Sequence, residues 1–233
     1  MQTDHLSTAQ DRTKTYDVGL RNHMISVYNR MTAGILVTAI VAWIVGNSPM
    51  MLQMFLGGPQ KYIVMFAPLA IVWFGFKPAS MSAQKLMMAF LGVSVLYGIS
   101  FATLAFVFAG TEIARAFFIT SAMFAGLSIF GYTTKKDLSA IGQFCIMAVI
   151  GLVITSVVGI FVEFSSMMQM GLSVASVFIF AGITAWETQN TKRMYREGNG
   201  AEINSRLAWS AALTLYISFV AMFMNILSLM RGE

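Results

Sequence analysis

The sequence predicts an all-α integral membrane protein of about seven transmembrane helices, and three observations support this fold class. Hydrophobic types make up 57% of the 233 residues and charged types only 11%, and the mean hydropathy is +0.71. Soluble domains usually carry about 25% charged residues, because their surfaces face water. Apolar segments of about 20 residues, enough to cross a bilayer, follow one another along the chain with short polar gaps between them. The lipid bilayer is therefore the expected partner of most of the outer surface.

Two regions are predicted, a polar cytosolic tail over residues 1–23 and a transmembrane domain over residues 24–233. The apolar segments of the second region are all expected to be helical, because lipid offers no partner to an unpaired backbone amide. The second segment is short and contains Pro68. The fifth and sixth segments are separated by two residues, which predicts a tight antiparallel hairpin. The segments are Ser26–Gly46, Tyr62–Phe76, Leu86–Ala109, Arg115–Tyr132, Ala140–Val162, Ser165–Trp186 and Leu207–Met230.

The distribution of positive charge predicts which side of the membrane each loop faces. With the N-terminus in the cytosol, three of the 15 Lys and Arg residues, Lys61, Arg115 and Arg231, fall outside and all others fall inside. Cytoplasmic loops carry the excess of Lys and Arg in membrane proteins. We therefore expect the N-terminus in the cytosol and the C-terminus outside, on the assumption of an odd number of crossings.

Residue types and their positions exclude several function classes. The two histidines, His5 and His23, precede the first segment, so neither an HExxH zinc site nor a serine–histidine pair is expected in the membrane. No Walker-type phosphate loop is present, and the single cysteine, Cys145, excludes an intramolecular disulfide. Basic runs never exceed two residues, which argues against nucleic acid as a partner. We expect no enzyme and no cofactor, but a channel, a transporter, a leak pathway or a regulatory membrane protein.

Three charged residues near the membrane boundary are candidates for a functional site. Placing an ionisable side chain in hydrocarbon costs about 2.5–3.5 kcal/mol or more, so such residues indicate function. Glu187 ends the sixth segment; it either binds a cation or a proton at the mouth of a pathway or is an interfacial group wetted by headgroups. Arg30 either extends to the headgroups or forms an ion pair with Glu187. Lys77 is a second candidate partner for the same carboxylate.

The seventh segment carries further polar candidates. Ser218 and Asn225 are two helical turns apart, so they project from one face of the helix and could line an ion pathway. The alternative is that polar groups here join helices, with Tyr216 and Asn225 forming hydrogen bonds to neighbouring helices.

Four blocks of sequence carry a resemblance to a known family. The most specific is FAGLSIFGYTTKKDLS, at Phe124–Ser139. The others are YDVGLRNHMISVYNRMTAGILVTAIVAW at Tyr16–Trp43, AWETQNTKRMY at Ala185–Tyr195 and LTLYISFVAMFMNIL at Leu213–Leu227. Together they resemble the fourth, first, sixth and seventh helices of the transmembrane Bax inhibitor motif family, in particular its bacterial inner-membrane branch.

The resemblance implies a fold, a location and an activity. Six helices surround a central seventh in a bacterial inner membrane, and the activity is a pH-sensitive calcium leak governed by two aspartates that share a proton. The first aspartate matches Glu187, but the second falls on Ser218, in LYISF where the family reads Leu-Tyr-Leu-Asp-Phe. The family's latching arginine at the end of helix two matches Lys77. Because one carboxylate cannot give a coupled titration, we expect the fold to carry over and the two-carboxylate switch to be missing.

Two functions therefore remain open. The first is a passive, pH-modulated calcium or cation leak, with calcium as the transported ion, Glu187 as a weak calcium ligand and Ser218 as a neutral one. Calcium prefers 6–8 oxygen ligands, so no metal site is expected with certainty. The second is a non-conducting membrane regulator that binds a membrane protease or other membrane proteins. The serine at position 218 and the scarcity of buried charge favour this alternative.

Overall fold

The computed structural model describes the backbone of residues 2–159, 161–196 and 198–231, with side chains from Val18 onward in these ranges. All regular structure within these ranges is helical, as the composition predicts. The helices are α1 (Gln2–Gly46), α2 (Pro49–Leu56), α3 (Gln60–Ala70, continued by a π-helical turn over Ile71–Gly75), α4 (Ala83–Phe101), α5 (Leu104–Val107), α6 (Gly110–Thr133), α7 (Ser139–Val158), α8 (Ser166–Met194) and α9 (Ala201–Met230).

The second predicted segment differs from the other spans. Six stretches in the described ranges are long and apolar enough to cross a bilayer, but α2 and α3 with its π turn form a pair bent by 73°. The 11 residues of α3 and the 5 of the π turn rise about 24 Å, less than the roughly 30 Å of a hydrocarbon core. Pro68 lies inside α3 just before the π turn, where it removes a backbone donor and disturbs the helix. The described ranges therefore hold six long helices, and a seventh span if the bent pair crosses the membrane as one.

The helices α1 and α4 run in the same direction. Gly34 of α1 approaches the ring of Phe90, and further along both helices the carbonyl oxygen of Thr38 approaches Gly98. Because the second contact lies closer to the C-terminus than the first on both helices, the two helix axes are parallel. The chain between α1 and α4 must therefore return from one end of the bundle to the other, through the bent pair.

The central helix α9 is also parallel to α1. Arg30 Nη1 donates to the Ser205 carbonyl oxygen at 2.7 Å, and the hydroxyl oxygens of Thr38 and Tyr216 lie 2.7 Å apart. The start of α1 and the end of α9 consequently lie at opposite ends of the bundle. This arrangement agrees with the odd number of crossings assumed for the orientation.

The core of the bundle is built around α9. In its most apolar stretch 56% of the residues are buried, against 11% in α7 and 22–33% in the other long helices. It packs on α1, α4, α6 and α8, whereas α7 packs on α8 and α3 packs on α4. The central position of the seventh span is thus confirmed, with four helices directly around it and two in an outer layer. The core includes Val27, Phe90, Val93, Phe124, Leu215, Tyr216, Phe219 and Met222.

Leu20 and His23, which lie in the predicted tail, are buried against the helical bundle. One predicted boundary, at the end of the fifth segment, is corrected by the structure. The helix α7 ends at Val158 and α8 begins at Ser166, so the connection is longer than the predicted two-residue hairpin. The hydroxyl of Ser165 accepts a hydrogen bond from the Met168 amide at 3.3 Å, and this N-cap fixes where α8 starts.

Candidate functional site

A stripe of polar side chains runs along the buried face of α8 near its C-terminal end. Glu187 is 6% exposed, and Thr184, Thr188 and Thr191 on either side of it are buried as well. The hydroxyl oxygen of Thr188 lies 3.4 Å from that of Tyr28 on α1. Thr191 Oγ1 is buried without a hydrogen-bond partner in the described part of the chain. Because residues three and four apart share a helix face, the carboxylate and this unpaired hydroxyl belong to one site, which we call the α8 stripe.

Neither cation proposed as a partner of Glu187 is paired with it. Among residues whose side chains are described, no ion pair involves Glu187, and its polar neighbour is the side chain of Asn190 on the same helix. Arg30 instead donates to the carbonyl and hydroxyl oxygens of Ser205 at 2.7 and 3.1 Å. Lys77 is exposed in the connection after α3. An ionised carboxylate is costly to bury without a partner, and Glu187 is buried against the bundle.

The two polar candidates of α9 do not join Glu187 in one hydrogen-bonded cluster. Ser218 is 1% exposed, and within the described ranges it forms no hydrogen bond to Glu187. Asn225 Nδ2 donates to the Ala221 carbonyl of its own helix at 2.8 Å, rather than to a neighbouring helix. It lines a cavity of 750 Å³ with residues of α7 and α8, including Ser176. Of the two bonds between helices that were predicted, the one from Tyr216 is confirmed and the one from Asn225 is wrong.

The loop between α6 and α7 is held by side chains of α8. Gln189 Oε1 accepts from the Leu138 amide at 3.0 Å, and its Nε2 donates to the Lys136 carbonyl at 2.8 Å. Lys192 Nζ donates to the Tyr132 carbonyl at 3.0 Å and lies 4.7 Å from the centroid of the same residue's ring. We call this set of contacts the α6–α7 clasp.

Close packing of α6 on α8 accompanies the clasp. A Cβ atom added at Gly131 would lie 2.2 Å from the carbonyl oxygen of Ala185, so the two backbones touch at this level. Gly131 belongs to the block at Phe124–Ser139 and Ala185 opens the block at Ala185–Tyr195. Two of the four blocks that carry the family resemblance therefore form one interlocked unit, and this unit positions the α8 stripe.

An exposed ion pair between α8 and the α6–α7 loop lies next to the clasp. Arg193 Nη1 lies 2.8 Å from Asp137 Oδ1. The side-chain and backbone hydrogen bonds from Ser139, followed by the one from Arg193, lower the pKa of Asp137 from its usual 3.8 to about 2. Both partners of the ion pair are well exposed, so its contribution to stability is small.

The pH dependence of this contribution has a definite sign. A carboxyl whose pKa is lower in the folded state stabilises the fold above its unfolded pKa and loses this effect as the pH falls through the folded value. We expect the unfolding temperature of Asp137→Asn to lie slightly below that of the wild type above pH 4. The difference should shrink as the pH falls from 4 to 2, the window set by the two pKa values, and vanish below the lower one. Thermal unfolding in detergent across this range measures it, and a difference as large at pH 2 as at pH 5 would contradict the assignment.

The fold and the buried stripe define a class, a multi-pass helical membrane protein built around a central buried helix. Residues 20–233 match the model of the family described as "Inhibitor of apoptosis-promoting Bax1". The chain belongs to this Bax inhibitor family, as its four blocks of sequence predict.

Several bacterial proteins are similar to the chain over nearly its whole length. "Uncharacterized protein RP147" of Rickettsia prowazekii is 37% identical, covering 94% of this chain and 93% of that protein. An uncharacterized protein of Caulobacter vibrioides is 34% identical, covering 93% and 91%. "Inner membrane protein YbhL" of Escherichia coli is 33% identical, covering 90% and 91%. The name of the last protein places it in the inner membrane.

Proposed function

We propose that this protein is a passive cation leak of the bacterial inner membrane, in which Glu187 takes up a proton or a calcium ion. One observation carries the proposal: the buried carboxylate of Glu187 has no cationic partner among the described residues. The unpaired Thr191 hydroxyl lies one turn away on the same face. A buried ionised carboxylate without a partner is costly, so it requires a proton or a cation that comes from outside the chain.

The available ligands favour transit of an ion over tight binding. Calcium prefers 6–8 oxygens, and in the described part of the chain no group of three or more His, Cys, Asp or Glu residues converges. One carboxylate, a few hydroxyls and the buried Ser218 offer fewer strong ligands than a storage site needs. A conducting site must release an ion as readily as it binds one, and a weak site meets this requirement.

The predicted orientation places the α8 stripe at the cytosolic end of the bundle. The excess of Lys and Arg in the loops at this end supports a cytosolic N-terminus and an external C-terminus. The parallel course of α1 and α9 is consistent with termini on opposite sides. Calcium that enters from outside would meet Glu187 last, so this residue would control release into the cytosol.

We expect Glu187→Gln to lower calcium flux about tenfold, because a neutral amide replaces a charged ligand and a tenfold change corresponds to about 1.4 kcal/mol. The measurement is calcium entry into proteoliposomes that contain the purified chain and an internal calcium indicator, at two pH values. The wild type should respond to pH, and the variant should not, because it has lost the group that takes up the proton.

A matched control is Glu202→Gln, which replaces an exposed carboxylate at the start of α9 by an amide that can still accept the hydrogen bond from the Ala83 amide. This variant should retain wild-type flux. Equal flux in the wild type and Glu187→Gln would remove Glu187 from the mechanism. Flux no higher than in empty vesicles would rule out the leak activity. It would favour the alternative, a non-conducting regulator that binds a membrane protease or other membrane proteins. The serine at position 218, in place of a second carboxylate, supports that alternative.

A further inference from the structure

A second polar site, separate from the α8 stripe, lies where α1 meets the first turns of α9. It is a cavity of 240 Å³ whose lining includes His23, Ser26 and Arg30 from α1 and Ala201, Asn204 and Ser205 from α9. We call it the α1–α9 cavity. It opens near the end of the bundle at which both helices begin, the level expected for lipid headgroups.

His23 is the first sign that the α1–α9 cavity receives a ligand. The residue is 7% exposed, and its Nε2 has no hydrogen-bond partner in the ranges that the structure describes. Its ring packs against Tyr195, with the ring centroids 5.2 Å apart. A buried polar atom without a partner is costly, and a ligand in the cavity can supply the missing hydrogen bond.

Arg30 gives the cavity a positive charge that is paired with no carboxylate among the described side chains. Its guanidinium is fixed by the two bonds to Ser205 and lies 4.4 Å from the centroid of the Trp209 ring. Within the described ranges it forms no ion pair with a carboxylate. A cation held in place in this way is ready to bind an anion, and guanidinium groups form strong charge-assisted bonds with phosphate.

The start of α9 adds further donors. The N-cap residue is Gly200, which provides no side-chain cap, so the amides of the first turn retain free bonding capacity. The helix dipole also favours an anion at this end. Glu202, the acidic residue of the first turn, accepts a hydrogen bond from the Ala83 amide at 2.8 Å. Its carboxylate is therefore engaged at the start of α4.

We propose that the α1–α9 cavity binds a phosphate group, supplied either by an anionic phospholipid headgroup or by free phosphate. A buried imidazole, a fixed guanidinium and the N-terminus of a long helix converge on one small cavity, and together they suit an anion that accepts several hydrogen bonds from different directions. This inference does not depend on the proposed leak activity, because it uses none of the residues of the α8 stripe.

Two probes test the proposal on the purified full-length chain in a neutral detergent. Native mass spectrometry measures binding of phosphatidylglycerol and phosphatidylcholine, and thermal unfolding measures protection by inorganic phosphate. We expect phosphatidylglycerol or inorganic phosphate to bind the wild type about tenfold more tightly than His23→Phe or Arg30→Gln, the effect of one charge-assisted hydrogen bond. His23→Phe keeps an aromatic ring packed against Tyr195 and is therefore expected to fold. Its binding result decides the test if Arg30→Gln does not fold.

Arg115→Gln is the matched control, because it removes an exposed arginine at the other end of the bundle. It should bind both probes as the wild type does. Binding of phosphatidylglycerol alone identifies a lipid headgroup as the source, and protection by inorganic phosphate identifies a soluble ligand. The proposal is overturned if neither probe binds the wild type more tightly than phosphatidylcholine, or if His23→Phe binds the probes as well as the wild type.

Discussion

Replacing Gly131 by alanine should destabilise the bundle by about 3 kcal/mol, the upper part of the range for an overpacked core. The new Cβ would lie 2.2 Å from the Ala185 carbonyl oxygen, a backbone atom that cannot rotate away as a side chain does. The helices α6 and α8 would have to separate, and the clasp bonds of Gln189 and Lys192 would lengthen with them. Chemical unfolding in detergent micelles, followed by far-UV circular dichroism, measures the loss.

The same helix supplies the control for this substitution. A Cβ at Gly126 meets nothing within 4 Å, so Gly126→Ala should be neutral or stabilising by up to about 1 kcal/mol, the difference in helix propensity. If the two alanine variants unfolded at the same denaturant concentration, the backbone contact between α6 and α8 would have no energetic role.

Gln189→Leu should cost about 2–3 kcal/mol, because it leaves the Leu138 amide and the Lys136 carbonyl without partners. Each buried backbone group left unpaired costs about 1–3 kcal/mol, and the lower end applies to the partly buried carbonyl. The substitution keeps most of the side-chain volume, so the loss is one of hydrogen bonds and not of packing. The freed loop carries Lys135 and Lys136, so trypsin should cleave there faster than in the wild type.

Gln169→Leu tests whether any glutamine of α8 would behave in the same way. Its Nε2 donates to the Phe164 carbonyl at 3.0 Å in an exposed position, where water replaces the lost bond. We expect little change in stability and no faster cleavage at the α6–α7 loop. Unchanged trypsin sensitivity in Gln189→Leu would show that the remaining contacts, from Lys192, Arg193 and the helix packing, hold the loop without Gln189.

Much of the fold follows from the sequence because lipid imposes strict rules on it. Length and apolarity predict the long spans, and the positions of Lys and Arg are the basis of the expected orientation of the two termini. The second segment could not be predicted in the same way, because the 73° bend lies at residues 57–59, between α2 and α3 and before the predicted start of that segment. The start of the sixth segment at Ser165 is confirmed by the N-cap of α8. The end of the fifth segment is wrong, because the chain stays apolar to Val162 while α7 ends at Val158.

The candidate site was predicted less completely than the fold. Glu187 could be found because an acidic residue at the end of an apolar segment is unusual. The partner of Arg30 could not, because it depends on α1 and α9 being parallel neighbours in a particular register. The role of Gln189 was harder to predict, because the sequence shows only that a side-chain amide lies within the block at Ala185–Tyr195. The burial of His23 could not be predicted, because the two residues before it in the sequence are polar and do not show that this part of α1 packs against the bundle.

The α6–α7 clasp also has a consequence for biogenesis. Its two halves are 51 to 60 residues apart in sequence, so a chain emerging from the ribosome inserts α6 and α7 before the side chains that hold their loop are made. Until α8 is made, the loop is unsupported and open to proteases. A chain truncated after α7 should therefore be short-lived in cells, even though each of its spans is apolar enough to enter the membrane.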